Sequence, residues 1–258
     1  MDKELKSLRS FNVRMGILHF IQGTLMLIAA LSIDKISEFK PSIWSYYLTF
    51  DKTVMQLATD PKVLFDLPFA VLVSMFLFIS ALFHFIISSK KFNKKYNNDL
   101  QKGINKFRWY EYSISSSLMI MLIAVLFGVY DIGALLLIIF LNASMNLFGL
   151  LMEKINQYTK KTDWSPFIYG SIAGIGSWIV IIMYAFGNSN PSEVPWFVYA
   201  IFGSYFIFFN LFPINMILQY KKIGKWKDYL YGERIYIILS LVAKSILAWL
   251  VFAGVMQP

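Results

Sequence analysis

The sequence predicts an all-α membrane protein in which seven transmembrane helices form one bundle, with a short extracellular β-hairpin in the first loop. Three observations predict it. Of 258 residues, 57% are hydrophobic and only 15% are charged, and the apolar residues gather into seven runs too long for a soluble core. Each run is about as long as a helix needs to cross a bilayer, and a helix satisfies its backbone groups internally, as hydrocarbon requires. Basic residues collect in alternate loops, the pattern left by a chain that crosses repeatedly.

The first run, Met15 to Ile33, follows Lys3, Lys6, Arg9 and Arg14. It is about twice the apolar length of a signal peptide and carries His19 and Gln22, so it reads as a retained helix. The connection from Asp34 to Asp66 is the only one expected to have structure of its own. Within it, Ser42 to Phe50 is rich in aromatic and β-branched residues, and Asp51-Lys52 can turn the chain into Thr53-Val54-Met55 as a hairpin. The alternative is an aromatic segment lying in the headgroup layer.

The second run, Leu67 to Ser89, leads into a loop with Lys90, Lys91, Lys94, Lys95, Lys102, Lys106 and Arg108. The third, Trp109 to Tyr130, and the fourth, Ile132 to Met152, meet so tightly at Asp131 that they must be antiparallel neighbours. Lys154, Lys160 and Lys161 precede the fifth, Phe167 to Phe186. The sixth, Trp196 to Tyr220, contains Pro213, which predicts a kink. Lys221, Lys222, Lys225, Lys227 and Arg234 precede the seventh, Ile235 to Met256.

Nineteen basic residues therefore share one side, against Lys35, Lys40, Lys52 and Lys62 on the other. The positive side stays cytoplasmic, which places the amino terminus inside and Met256-Gln257-Pro258 outside. The net charge of +9, which in a soluble chain would suggest nucleic acid, here belongs to loop topology, and no nucleic-acid partner is expected. The absence of cysteine excludes disulfides, thiolate metal sites and cysteine catalysis, and the two histidines argue against a zinc site. With no repeat, no second domain and no catalytic motif in the cytoplasmic loops, residues 1–258 read as one membrane domain and not as an enzyme.

Lys244 lies ten residues beyond Arg234, about 15 Å along a helix and near the bilayer midplane. A charged ammonium there costs roughly 2.5 to 3.5 kcal/mol on insertion scales, so it requires a partner and marks a functional site. A buried lysine can also lose its charge, or join a carbonyl ligand such as retinal as a Schiff base. Glu111 is the natural partner. If the third helix starts near Gly103, Glu111 lies about 12 Å deep from the same side as Lys244. The alternative is a surface ion pair with Arg108 at i, i+3.

His19 and His84 fall in the same half of the membrane as Glu111, with Gln22 and Ser80 one turn away on the same helix faces. Together they form a candidate proton-accepting layer. Ser240 lies one turn before Lys244 and is neutral. In the sixth span Phe202, Tyr205, Phe206, Phe208, Phe209 and Phe212 either sandwich a polyene or face lipid. Met119, Asn142, Met145 and Trp178 are similar pocket candidates, although Asn142 and Asn146 at i, i+4 also suit helix-to-helix hydrogen bonding. Ser115, Ser116 and Ser117 either tune a ligand or pack helices.

These residues together resemble a microbial rhodopsin, with seven spans, a lysine midway along the seventh, and Arg108-x-x-Glu111 opening the third as Arg-x-x-Asp does in the proton pumps. The inside amino terminus, Arg108-Trp109-Tyr110-Glu111-Tyr112-Ser113 with Ser115-Ser116-Ser117, and Ser240-Leu241-Val242-Ala243-Lys244-Ser245 are similar to heliorhodopsins, whose orientation is inverted. The resemblance spans essentially the whole chain. It implies a rhodopsin bundle with all-trans retinal as a protonated Schiff base on Lys244, Glu111 as counterion, and Ser240 where pumps carry a second aspartate. It also implies that His19, Ser80 and His84 take part in proton movement.

By alignment on Pro213, Phe209, Phe212 and Met216 take the retinal-lining places. The full cofactor-binding set expected is then Lys244, Glu111, Ser240, Ser80, Tyr112, Ser115, Ser116, Met119, Asn142, Met145, Phe209, Phe212 and Met216, with His19, His84 and Gln22 accepting protons. The family suggests a homodimer with the first-loop sheet near the interface, and a cytoplasmic signalling partner of unknown identity. Leu122 stands eleven residues beyond Glu111, where a pump keeps its donor carboxylate. The expected function is therefore a light-sensing photoreceptor without ion pumping; the alternative is a light-driven or light-gated proton transporter of inverted orientation.

Overall fold

The computed structural model describes residues 2–187 and 194–255. The expected outer terminus, Met256-Gln257-Pro258, and the last residue of the seventh run lie outside them. The chain order is α1 (Asp2–Ser32), α2 (Asp34–Ser37), β1 (Ser42–Asp51), β2 (Gln56–Asp66), α3 (Phe69–Ser88), α4 (Lys90–Gln101), α5 (Lys106–Leu126), α6 (Ile132–Ile155), α7 (Ser165–Phe186), α8 (Trp196–Tyr220) and α9 (Tyr229–Val255). Seven of these helices, α1, α3 and α5 to α9, are long and apolar enough to cross a membrane. The fold is the seven-helix rhodopsin type with a small antiparallel sheet.

Local chemistry sets the helix starts. The Asn105 side chain accepts from the Arg108 backbone N–H at 3.0 Å and caps α5, and Asp131 caps α6 by accepting from Ala134 N–H at 2.9 Å. Pro166 occupies the first turn of α7, where a missing N–H costs nothing. Pro213 lies inside α8, which nonetheless continues to Tyr220.

The hairpin forms, with a longer register than expected. β1 pairs antiparallel with β2 from Ser42 opposite Asp66 to Asp51 opposite Gln56. Thr53, Val54 and Met55 make the turn instead of the second strand, and Asp51 holds it by accepting from Thr53 N–H at 2.7 Å. Trp44 N–H donates to Tyr130 O at 2.9 Å, which docks the hairpin base on the α5–α6 turn.

Two expectations about the other end are corrected. The first loop is not the only structured connection, because Lys90–Gln101 folds as α4. Its Tyr96 and Leu100, one turn apart, pack with Leu5, Leu8, Ile87 and Ile237 in a separate apolar cluster. Helix α1 also starts at Asp2, well before its apolar run, and its extension is tied down by Arg9 Nε donating to Ser88 O at 2.8 Å. The main apolar core lies nearer the hairpin and includes Ile120 to Val125, Phe76, Leu77 and Leu247.

Candidate functional site

Helix α5 starts at Lys106 and not near Gly103, so Glu111 is only five residues from its first residue, about 7.5 Å along the axis. Lys244 is fifteen residues from the start of α9, about 22 Å. Helix α9 begins about one turn earlier, since Asn105 at the cap of α5 meets Glu233, and the long Lys244 side chain, leaning toward the start of its helix, spans the rest. Lys244 Nζ donates to Glu111 Oε1 at 2.6 Å and to Ser80 Oγ at 2.6 Å, while Ser80 Oγ donates to Glu111 Oε1 at 2.6 Å. With Lys244 2% exposed and Glu111 6%, the pair is closed to solvent, a setting in which either charge without the other would be strongly destabilising. The ammonium also lies 5.3 Å from the centre of the Tyr112 ring.

Arg108 does not pair with Glu111. It sits between Glu153 of α6 and Glu233 of α9, bonded to both carboxylates, with its guanidinium 3.9 Å from the Tyr236 ring centre. Asn105 N–H donates to Glu153 at 2.8 Å, Trp109 Nε1 donates to Glu153 at 2.8 Å, and Asn105 Nδ2 donates to Glu233 at 2.5 Å. Two phenols join the set, Tyr96 on α4 donating to Glu233 at 3.3 Å and Tyr229 on α9 donating to Glu153 at 3.2 Å. A small cavity of about 40 Å³ touches both charged groups, bordered by Ser80, His84, Glu111 and Ser240 on one side and by Asn105, Arg108 and Glu233 on the other.

His19 and His84 stack with ring centres 5.6 Å apart. Asn12 Nδ2 donates to Leu8 O at 3.0 Å, which orients the amide so that its Oδ1 accepts from His84 Nδ1–H at 2.8 Å. His84 Nε2 is then the basic nitrogen of that ring. Both nitrogens of His19 and the Gln22 Oε1 are buried without a protein partner among the described residues.

A larger cavity of about 270 Å³ opens from Lys244 between α5, α6, α7, α8 and α9. Tyr112, Ser116, Met119, Met145, Trp178, Phe209, Phe212 and Met216 border it, as does Tyr205. Gly174 gives it width, since a Cβ there would meet the Met145 sulfur at 2.6 Å. Of the expected cofactor-binding residues, Glu111, Ser80 and Ser240 border the small cavity instead, and two border neither. Ser115 is buried in α5, and Asn142 stands behind the wall, donating to Ser116 at 2.8 Å and Ser117 at 3.0 Å. Asn146 also donates to Ser116, at 3.0 Å, so the asparagines join α5 to α6 while Ser116 faces the cavity as well.

Asn12, Asn105, Glu153 and Glu233 were not singled out from sequence. Two carried a signal: Asn12 is seven residues before His19 and Glu233 eleven before Lys244, spacings that return to the same helix face.

The Heliorhodopsin family model matches residues 8–256. The chain belongs to the heliorhodopsin family. As a heliorhodopsin it is a multi-pass membrane protein and a retinal-based light sensor, a photoreceptor type and not a classical enzyme. No curated protein matches the chain.

The residues present fit retinal. A buried amine stands at one end of a cavity close to the lower size for small-ligand sites, and its walls are mainly aromatic and methionine side chains suited to a polyene.

Proposed function

We propose that this heliorhodopsin is a photoreceptor in which Lys244 holds all-trans retinal as a protonated Schiff base and Glu111 is its counterion. The observation that carries this reading is the 2.6 Å contact of Lys244 Nζ with Glu111 Oε1 at the mouth of the apolar cavity. When bound, retinal supplies visible absorption and a light-driven change of shape. Everything else is the work of the chain. Tyr112, Met119, Met145, Phe209, Phe212 and Met216 hold the polyene, and Gly174 leaves it room. Glu111 balances the positive nitrogen, and Ser80, bonded to both, holds the two together. Separating them leaves two uncompensated charges in a low-dielectric site, and moving the nitrogen's proton onto an imidazole beside Glu111 keeps a cation next to the carboxylate. His84 and His19, reached through Ser80 and the small cavity, accept that proton.

The basic end, with Arg108, Glu153 and Glu233 inside it, is the cytoplasmic end and carries the signal to a partner. Residues 1–258 act as one retinal-binding unit. The exposed apolar hairpin, with Leu48 73% and Leu57 68% exposed, supports a homodimer on the outer face. Ion pumping is disfavoured because the path from Lys244 toward the hairpin is closed by Leu122, Leu247 and Val251, all buried and apolar. Photocurrents in planar bilayers would favour the transporter reading.

The test is an absorption spectrum of purified protein with all-trans retinal, before and after hydroxylamine and light. A visible band that hydroxylamine bleaches is expected; a colourless preparation refutes the proposal.

A further inference from the structure

Helix α4 joins two of the helices that hold the site, following α3 with Ser80 and His84 and preceding α5 with Arg108 and Glu111. Its two faces differ sharply. Tyr96, Asp99 and Leu100 are buried, while Lys90, Lys91, Lys94, Lys95, Asn98, Gln101 and the following Lys102 are exposed. Those positions recur at helical spacing and make one face. The only carboxylate of the helix, Asp99, is turned inward and paired with Lys106 Nζ at 3.2 Å, so the exposed face has no acid of its own.

Loop lysines serve membrane topology wherever they fall. Topology does not require them on one face of a helix anchored by an apolar cluster. The buried face of α4 rests on the end of the bundle, against Leu5, Leu8 and Ile237, which turns the lysines away from it toward the aqueous side. Tyr96 links this helix to the interior through its bond to Glu233, the carboxylate that also holds Arg108. Burial and the neighbouring Glu233 push the Tyr96 phenol well above its usual range, so it remains a donor.

We propose that the lysine face of α4 docks an acidic segment of a cytoplasmic protein, and that Tyr96 is the positioning residue tying this surface to the Arg108–Glu233 group. The proposal rests on the photoreceptor reading and its orientation, and names the kind of partner the receptor addresses. Lysine-rich surfaces select acidic partners by charge, speeding encounter and giving a strong salt dependence.

The test uses the full chain in phosphatidylcholine nanodiscs and a fluorescent oligoglutamate peptide, with affinity measured in the dark and under illumination. Replacing Lys90, Lys91, Lys94 and Lys95 together by Gln should weaken dark binding by about ten-fold or more. The same number of charges removed elsewhere, by Lys→Gln at 221, 222, 225 and 227, should weaken it by less than about three-fold. Equal losses, or none, overturn the docking surface. Loss of binding to the parent when phosphatidylserine replaces phosphatidylcholine assigns the face to lipid headgroups and also overturns it.

Tyr96→Phe should keep dark affinity yet abolish the difference between light and dark; a difference that persists, or one absent from the parent, overturns the coupling. A coloured, photoactive parent that ignores the peptide defeats docking alone. A colourless parent defeats the retinal reading, while dark binding still reports on the surface.

Discussion

Glu111→Gln removes the one carboxylate in contact with Lys244 among the described residues while preserving shape and most of the hydrogen bonding. Two unit charges 2.6 Å apart attract by about 6 kcal/mol at an effective dielectric constant near 20. Desolvation of both groups offsets part of that, and breaking a buried pair from one side leaves a net loss of roughly 3 to 5 kcal/mol. At 1.36 kcal/mol per pH unit, the positive form on the Lys244 nitrogen should be lost about two to four pH units earlier on an alkaline titration than in the parent. With the negative charge gone from beside the nitrogen, the visible band of the retinal-loaded protein should also move to the red. The assay is absorbance against pH on purified protein, with Glu111→Asp as the control that keeps a charge. A midpoint displaced by less than about half a unit, with the band unmoved, would show that Glu111 does not act on this nitrogen, whatever their separation.

Arg108→Ala leaves Glu153 and Glu233 facing each other inside the protein, and should destabilise it by roughly 3 to 5 kcal/mol, read as a lower thermal-bleaching midpoint; an unchanged midpoint would mean the cluster is not structural. The Asp51 carboxylate accepts N–H bonds from Thr53 and Val54, which hold it below its ordinary value of 3.8. A depressed carboxylate contributes order above its unfolded value and loses it as pH falls through the folded one, so amide exchange at Thr53 and Val54 should accelerate below about pH 3.8, and Asp51→Asn should flatten that dependence.

Hydropathy was sufficient for the seven spans because a bilayer imposes its thickness on each helix separately, so the signal sits in contiguous residues. The hairpin was legible for a similar reason, its aromatic and β-branched run being local, although the turn fell later than Asp51-Lys52 suggests. Helix α4 was hidden. Lysine and asparagine dominate its composition, and only the packing of Tyr96 and Leu100 against α1 and α9 makes it an ordered element.

Charge pairing was the least readable property. Glu153 and Glu233 adjoin Lys154 and Arg234 and look like solvated surface acids, yet both turn inward to Arg108, which itself reads as a loop cation. Composition and periodicity specify how many helices span the membrane and which segments are apolar, since each span answers to the bilayer along its own length. Which buried charges neutralise one another depends on how the helices pack and how far their side chains reach. Assembly alone set the meeting of Lys244, Ser80 and Glu111 from three separate helices, because a charge inside the bundle is tolerable only where packing delivers its complement.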